Sequence, residues 1–414
     1  MRAEIITIGE EILSGQTVDT NSAYIARRLA DVGIEVALKT SVGDRTGDIT
    51  EAISSAWQRS EVTIVTGGLG PTEDDITKKA ICNAFERKLV FHEEIVAEIE
   101  RRFEARKLKM PPLTQNQGLQ PQGAELLPNP IGSAVGICFR DQRRYFVALP
   151  GVPTEMEMIM EESVLPQLRK FPQRDYIEVR RIRTVGVMEA DLAEMIGDLA
   201  PSGEELRLAY LPSYRAVDLR ITGVYPTEAE AKDRVEQLAQ AILERIAPHV
   251  FTVGDKTMAE VTATLLTAKK KTIATAESCT GGYLAKQLTD IPGSSAYFLG
   301  SIIAYANEIK IEQLGVAPGL IETHGAVSAE VARAMAIKVR EMTGADYALS
   351  TTGIAGPDGG TAEKPVGLVY VGLATAEECD ATRINLSGTR DRVRERTCLL
   401  ALDYLRRRLL SEKP

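Results

Sequence analysis

The residues in this chain best placed to do chemistry cluster in a few short segments rich in glycine, hydroxyl groups or charge. Thr275-Ala276-Glu277-Ser278-Cys279-Thr280-Gly281-Gly282 stands where an apolar, strand-like run gives way to a helical pattern. Amides at a helix N-terminus lack intrahelical partners and carry positive potential, so they suit an anion or a developing oxyanion. Ser278 precedes those amides, a position for a nucleophile; the plainer alternative is that Ser278 or Thr280 only caps the helix. A serine nucleophile needs a base, and the chain has only 3 histidines. His324 is the histidine candidate, and it better suits capping or packing at a helix start. Ala304-Tyr305-Ala306-Asn307-Glu308-Ile309-Lys310 offers another solution. With Asn307 as a helix cap, Lys310 falls in the first turn. The helix end and a second cation there ease loss of its proton, so that it can deprotonate Ser278. Tyr305 would relay or orient that proton. The alternative for Lys310 is a solvated surface lysine.

Two further loops carry glycine and charge. Thr351-Thr352-Gly353-Ile354-Ala355-Gly356-Pro357-Asp358-Gly359-Gly360 follows a strand-like run and holds four glycines, enough for a backbone cradle around a phosphate or ribose, or else it is a flexible connection. Leu386-Ser387-Gly388-Thr389-Arg390-Asp391 opens the last helix; with Thr389 as its cap, Arg390 meets a phosphate beside the helix-end amides, or stays solvated. Near the N-terminus, Val65-Thr66-Gly67-Gly68-Leu69-Gly70-Pro71-Thr72-Glu73-Asp74-Asp75 links a strand to a helix. Gly67, Gly68 and Gly70, with Thr72, can wrap a phosphate, while Asp74 and Asp75 either hold a divalent cation or cap the helix. Leu149-Pro150-Gly151-Val152-Pro153-Thr154-Glu155-Met156 adds a further carboxylate, Glu155.

The elements that must position these segments follow from periodicity. Over residues 1–168, strand-like runs (Ala3–Ile8, Glu35–Val42, Glu61–Thr66) alternate with helical patterns such as Asn21–Val32, which predicts a parallel α/β sheet with crossover helices. Lys109–Pro130, rich in Pro, Gln and Gly, reads as an irregular insertion. Residues 172–252 follow the order β-α-β-β-α, a small split α+β module without a catalytic signature. Residues 255–411 alternate again: helix Met258–Ala268, strand Lys271–Ala276, helix Gly281–Thr289, strand Tyr297–Tyr305, helix Ala329–Thr343, strands Tyr347–Thr352 and Val366–Ala374, and helix Arg390–Leu410. This is a second α/β domain. Strand ends gathered at one sheet edge are where such folds open a ligand crevice.

Composition bounds the function. The 414 residues are 44% hydrophobic and 26% charged, with a formal net charge of -9, which argues against direct nucleic-acid binding over a broad surface. The 5 cysteines are scattered and form no CxxC pair, so they read as free thiols. With no signal-like or membrane-spanning run of apolar residues, the expectation is a cytoplasmic protein.

The motifs AESCTGG, Tyr-x-Asn-Glu-x-Lys, GIAGPDGG and Ser-Gly-x-Arg-Asp, in this order, resemble the C-terminal domain of the CinA (competence/damage-inducible) family over residues 255–411. That resemblance implies hydrolysis of nicotinamide mononucleotide to nicotinic acid mononucleotide and ammonia, without a cofactor. Ser278 matches the nucleophile, Lys310 its base and Tyr305 a supporting group. The Thr280-Gly281 turn, the Gly353–Gly356 loop and Arg390 match substrate-binding positions. Leu368 stands where a threonine is expected, which removes any hydroxyl contact there. Residues 1–168 resemble the molybdopterin-binding (MoaB/MogA-like) domain that begins CinA proteins, which implies a doubly wound sheet and a nucleotide or pterin site. In the CinA branch it also implies an ADP-ribose pyrophosphatase using a divalent metal, with Asp74, Asp75 and Glu155 as ligands or bases. The middle module resembles a KH fold but has no GxxG clamp, so a spacer or dimer-forming role is expected. The family further implies a homodimer acting on small-molecule nucleotides.

Overall fold

The structure is a computed structural model that describes residues 1–72, 75–141, 143–170, 176–214 and 216–411. The chain forms two compact units, Met1–Val179 with Thr222–Val235, and Arg180–Ile221 with Glu236–Pro414. In the first, the strands are β1 (Arg2–Ile8), β2 (Glu35–Val42), β3 (Val62–Thr66), β4 (Leu89–Phe91), β5 (Leu119–Pro121), β6 (Glu125–Leu127), β7 (Gly136–Arg140) and β8 (Tyr145–Leu149). Six of them make one sheet in the order β2-β1-β3-β8-β7-β6. β2, β1, β3 and β8 run parallel, and β7 and β6 are antiparallel additions. β3 and β8 are buried along their whole length, which explains why β8 is apolar without alternation and why β3 buries its two threonines along with its valines and isoleucine. Two separate apolar clusters, one around Ile5, Ile64 and Val147 and one around Ile6, Val65 and Ala148, show that helices cover both sheet faces. The segment expected to be irregular, Lys109–Pro130, contains a 3-10 turn (Pro112–Gly118) and two short strands, β5 and β6.

A four-stranded sheet follows, made by β9 (Tyr176–Thr184), β10 (Leu206–Pro212), β11 (Val217–Tyr225) and β12 (Val250–Val253) in the order β10-β11-β9-β12. β11 alternates strictly between buried and half-buried residues, the signature of a sheet with one covered face.

The last sheet contains β13 (Ile273–Glu277), β14 (Phe298–Ile303), β15 (Tyr347–Gly353), β16 (Leu368–Ala374) and β17 (Cys379–Asn385), ordered β14-β13-β15-β16-β17. β14, β13 and β15 are parallel; β16 runs against β15 and β17 against β16. β17 therefore points the same way as β13. Large residues of β13, β15 and β16 (Ile273, Leu349, Val371) face one cluster with the helices Met258–Lys269 and Arg390–Ser411. The opposite face carries small residues, Ala274, Ala276 and Ala348, against the helix Ala329–Thr343. Close approach there is enforced: a Cβ built on Gly372 would lie 2.6 Å from the Ala332 carbonyl oxygen. The sheet is thus a three-layer α/β sandwich, and β13, between β14 and β15, is fully buried. β17, an exposed edge strand, has no counterpart in the sequence-based element list. Among the described residues, no helix is long and apolar enough to cross a membrane.

Candidate active site

Parallel strands deliver their C-terminal ends to one sheet edge, and that geometry assembles the site. The ends of β14, β13, β15 and β17 lead respectively to Lys310, Ser278, Gly353 and Arg390. Ser278, Tyr305, Lys310, Gly353, Ala355 and Arg390, all expected from sequence, line one open cleft of about 220 Å³.

The Ser278 backbone N–H donates to the Thr351 carbonyl at 2.9 Å, so it extends the β13–β15 ladder by one residue. The chain then arches through Gly281 (φ 58°) and Gly282 (φ 90°), left-handed positions that favour glycine, into the helix Tyr283–Thr289. The expectation that the Ser278–Gly282 amides hold an oxyanion needs correction. Glu277, wholly buried, takes the amides of Gly282 (3.0 Å), Leu284 (3.1 Å) and Ala285 (2.7 Å). Gly281 donates to the Ser278 carbonyl at 3.1 Å. Only the amides of Cys279 and Thr280 donate to no carbonyl or carboxylate among the described residues. Thr280 and Gly281 are also not among the residues lining the cleft. The Thr280 hydroxyl is fully buried, 2.6 Å from the Thr351 hydroxyl, and its carbonyl accepts from the Arg394 guanidinium at 2.8 Å. These residues stiffen the turn from behind.

Lys310 is 2% exposed and donates to the carbonyls of Ala304 (2.9 Å) and Tyr305 (3.0 Å). Ala306, not Asn307, is the N-cap of the short helix Asn307–Glu312, so Lys310 lies one residue deeper than expected. Burial pushes its ammonium below the ordinary lysine range, with Cys279 and Glu308 opposing; desolvation, and neither the helix end nor a second cation, is the main cause. A neutral amine has two N–H bonds and one lone pair. Two carbonyls satisfy the hydrogens and leave the lone pair free to accept a proton. Among the described residues, Ser278 Oγ and Lys310 Nζ share the cleft without a direct hydrogen bond. Catalytic contacts commonly tighten only when substrate binds.

The Arg390 guanidinium donates to the Gly356 carbonyl (2.8 Å) and to the Tyr305 hydroxyl (2.6 Å). Tyr305 is 57% exposed, so its held hydroxyl marks the cleft rim and does not serve as a buried relay. Ile354 and Gly356 do not line the cleft themselves; Gly356 takes part through its carbonyl. Gly367 ties the two loops together: its N–H donates to the Ile354 carbonyl at 2.7 Å and its own carbonyl accepts from Leu386 at 2.8 Å. A Cβ at Gly367 (φ 94°) would sit 1.7 Å from the Leu386 carbonyl oxygen, so only glycine fits. The Leu368 side chain is buried, and hence offers no polar contact. Sequence reasoning missed Ala326, Val327 and Thr352, which also line the cleft. Thr352 donates to the Ala326 carbonyl at 2.7 Å and Lys364 to those of His324 (2.7 Å) and Val327 (2.8 Å). No local pattern announces contacts between segments so far apart. His324 itself does not line the cleft; it lies 3.8 Å from Glu330.

At the first sheet, Gly67 (φ 113°) and Gly68 (φ 65°) turn the chain after β3, and Thr77 donates to the Gly67 carbonyl at 3.0 Å. Asp75 accepts from the Thr72 amide (3.0 Å) and hydroxyl (2.5 Å), a bond back into the loop; the helix Thr77–Ala84 has Ile76 as its N-cap and no side-chain cap, so Asp75 does not cap it. Its carboxylate also abuts Gly70. Asp74 lies outside the described residues. Glu155 accepts from Asn129 at 2.6 Å. Among the described residues no group of three acidic, histidine or cysteine side chains comes together. Of the expected ligands, Asp75 and Glu155 are each engaged by a neighbouring polar group and Asp74 lies outside the described residues, so no step is derived through a metal. Two features escaped sequence reasoning. Lys78, buried, donates to Gln117 at 2.7 Å, and Gln117 to the Leu69 carbonyl at 3.0 Å; burial pushes the lysine down to about 8. Asn21 donates to Thr66 (3.0 Å) and to the Gly151 carbonyl (2.9 Å), while its buried Oδ1 has no partner. An orphaned acceptor beside a glycine loop is the kind of group a ligand satisfies.

Three family models match in succession. They are described as "Probable molybdopterin binding domain" over residues 4–170, "Damage-inducible protein CinA KH domain" over 179–252 and "CinA C-terminal domain" over 255–409. A "CinA-like protein" of Geobacter metallireducens is 42% identical over 416 residues, covering 99% of this chain and 100% of the relative. A second, from Dictyoglomus thermophilum, is 41% identical over 411 residues with the same coverage. The solved structure of "competence/damage inducible protein CihA" from Agrobacterium tumefaciens is 37% identical and covers 37% of this chain and 94% of that chain, with a TM-score of 0.36. With close similarity over essentially its whole length, and with a MoaB-like domain, a KH-like module and a CinA C-terminal domain in order, this chain belongs to the CinA family.

Proposed function

We propose that the C-terminal domain is a serine-lysine amidohydrolase that converts nicotinamide mononucleotide to nicotinic acid mononucleotide and ammonia. One observation carries the reading: Ser278 shares a cleft with a lysine whose amine is buried, held by two carbonyls and shifted toward its neutral form. Lys310 Nζ takes the Ser278 proton as Oγ bonds to the carboxamide carbon. The resulting oxyanion is taken by the Cys279 amide, which donates to no carbonyl or carboxylate among the described residues and belongs to a residue that lines the cleft. Collapse of the tetrahedral intermediate breaks the C–N bond, and Lys310 returns the proton to the departing nitrogen, which leaves as ammonia. Water, deprotonated by the same lysine, cleaves the ester and releases the acid and Ser278. Arg390, at the rim, binds the nucleotide phosphate. The deamidase needs no cofactor in this scheme.

For the N-terminal domain, the orphaned Asn21 acceptor and the buried Lys78 beside the Gly67-Gly68 loop support a nucleotide site. The reading is a second hydrolase acting on ADP-ribose with a divalent metal. The alternatives are a binding domain without catalysis and a regulatory competence or damage-response protein. The full chain, acting as a homodimer on both substrates, is to be assayed with and without added divalent metal. Ammonia released from nicotinamide mononucleotide without metal is expected, together with metal-dependent AMP from ADP-ribose. Absence of ammonia overturns the deamidase reading; absence of AMP leaves the N-terminal domain a binder.

A further inference from the structure

Glu277 takes no part in the reaction just described, yet it is the most deeply committed acid near the nucleophile. It ends the buried strand β13, has no exposed surface, and precedes Ser278 directly. A buried carboxylate is costly unless its oxygens are fully engaged. Here one oxygen accepts from Gly282 (3.0 Å) and Leu284 (3.1 Å), and the other from Ala285 (2.7 Å) and the Ser301 hydroxyl (3.5 Å). Ser301 is itself held by Thr275 at 2.8 Å. The carboxylate thus grips the helix that follows the arch while its own backbone belongs to the strand that precedes it. Both ends of the arch from Ser278 to Gly281 are fixed by one side chain.

We infer that Glu277 is a positioning residue: by taking the amides of Gly282, Leu284 and Ala285 it sets the arch that aims Ser278. It also fills the helix end with an internal anion. Of the two amides left unengaged, those of Cys279 and Thr280, only Cys279 lines the cleft and is left for the oxyanion, and a substrate phosphate is directed to the Arg390 side of the cleft. This rests on the reading of Ser278 as nucleophile, but not on the identity of the substrate. Two features of a merely structural cap would differ. A structural cap affects melting temperature alone, whereas a positioning residue affects the reactivity of Ser278 at unchanged substrate affinity.

The test uses the full chain and a fluorophosphonate probe of serine reactivity, with adduct at Ser278 located by peptide mass. Glu277→Gln keeps the shape but presents an NH₂ to an N–H donor, and the arch relaxes. The labelling rate is expected to fall roughly 10–100-fold, as misplacement of a reacting group by about an ångström does. kcat for ammonia release should fall in parallel while KM changes less than about threefold. Glu277→Ala, supplemented with formate to replace the missing carboxylate, should regain part of the labelling rate. If Glu277→Gln does not fold, Glu277→Asp, which retains the charge but withdraws it by one methylene, is expected to show the same fall. Labelling at the wild-type rate in folded variants, with only the melting temperature lowered, overturns the inference. A wild-type chain that is labelled at Ser278 but releases no ammonia from nicotinamide mononucleotide refutes the substrate and leaves Glu277 standing. A wild-type Ser278 that the probe never labels removes both.

Discussion

Lys310→Met tests the base without emptying its place, because methionine nearly matches the lysine stem in length and removes only the amine. General-base assistance contributes roughly 10²–10⁴ in rate, or about 3–5 kcal/mol of barrier. The variant should lose that factor in kcat for ammonia release. Stability has two opposing terms. The carbonyls of Ala304 and Tyr305 lose their donor, at about 1–3 kcal/mol each, while the cost of burying an ammonium disappears. The net change should stay within about 2 kcal/mol, too small to explain the lost rate. The pH dependence follows from the lowered proton affinity of Lys310 in the fold. Below its folded value the amine is charged in both folded and unfolded chains, so the burial penalty is present in full. It is relieved as pH rises from the folded value toward the ordinary lysine value. Wild-type stability relative to Lys310→Met should therefore improve with rising pH in that window. Wild-type kcat/KM should rise over a limb centred below the ordinary lysine value, and the variant's residual activity should lack that limb. Ammonia release across the pH range, with thermal melts of both proteins, reads all three quantities. A variant that keeps more than about a tenth of the activity, or retains the limb, refutes Lys310 as the base.

Other outcomes follow from the same geometry. Arg390→Ala should raise KM for nicotinamide mononucleotide by roughly 10–100-fold, the worth of one or two charge-assisted bonds, and leave the unphosphorylated riboside unaffected; an equal effect on both would contradict a phosphate role. Thr280→Val breaks the buried contact to Thr351 and should cost about 1–2 kcal/mol in chemical denaturation, and an unchanged midpoint would show that the contact carries no stability. Lys78→Met should weaken ADP-ribose binding and leave ammonia release at the wild-type rate. In the wild type that binding should weaken as pH rises through about 8, where Lys78 loses its charge; flat titration calorimetry across that range would exclude it from the site.

Much of the architecture was legible because local pattern and tertiary role agree. β3 and β13 are short apolar runs since both faces are covered, and β2 announces itself by length and branched residues. β17 was not legible: an edge strand with charged residues on its open side carries little hydrophobic signal, and its presence depends on pairing with β16. In the site, residue types at strand ends pointed to Ser278, Lys310 and Arg390, which the fold brings to one cleft. The physical reasons were less visible. That Lys310 is tuned by burial, and Thr280 turned inward to Thr351, depends on layers packed from distant segments. Glu277 reads as an ordinary acid until the helix after it is placed. Lys78 is one of two adjacent lysines in sequence, and only Gln117, from another loop, distinguishes it.

The central claim is that Ser278 is the nucleophile of an amide hydrolysis. Its most direct measurement is the ammonia formed from nicotinamide mononucleotide by the wild-type chain and by Ser278→Ala, with folding of the variant checked by its melt. Ammonia and nicotinic acid mononucleotide in equal amounts from the wild type, and neither above background from Ser278→Ala, is the predicted result. Undiminished ammonia from Ser278→Ala, or none from the wild type, would contradict it.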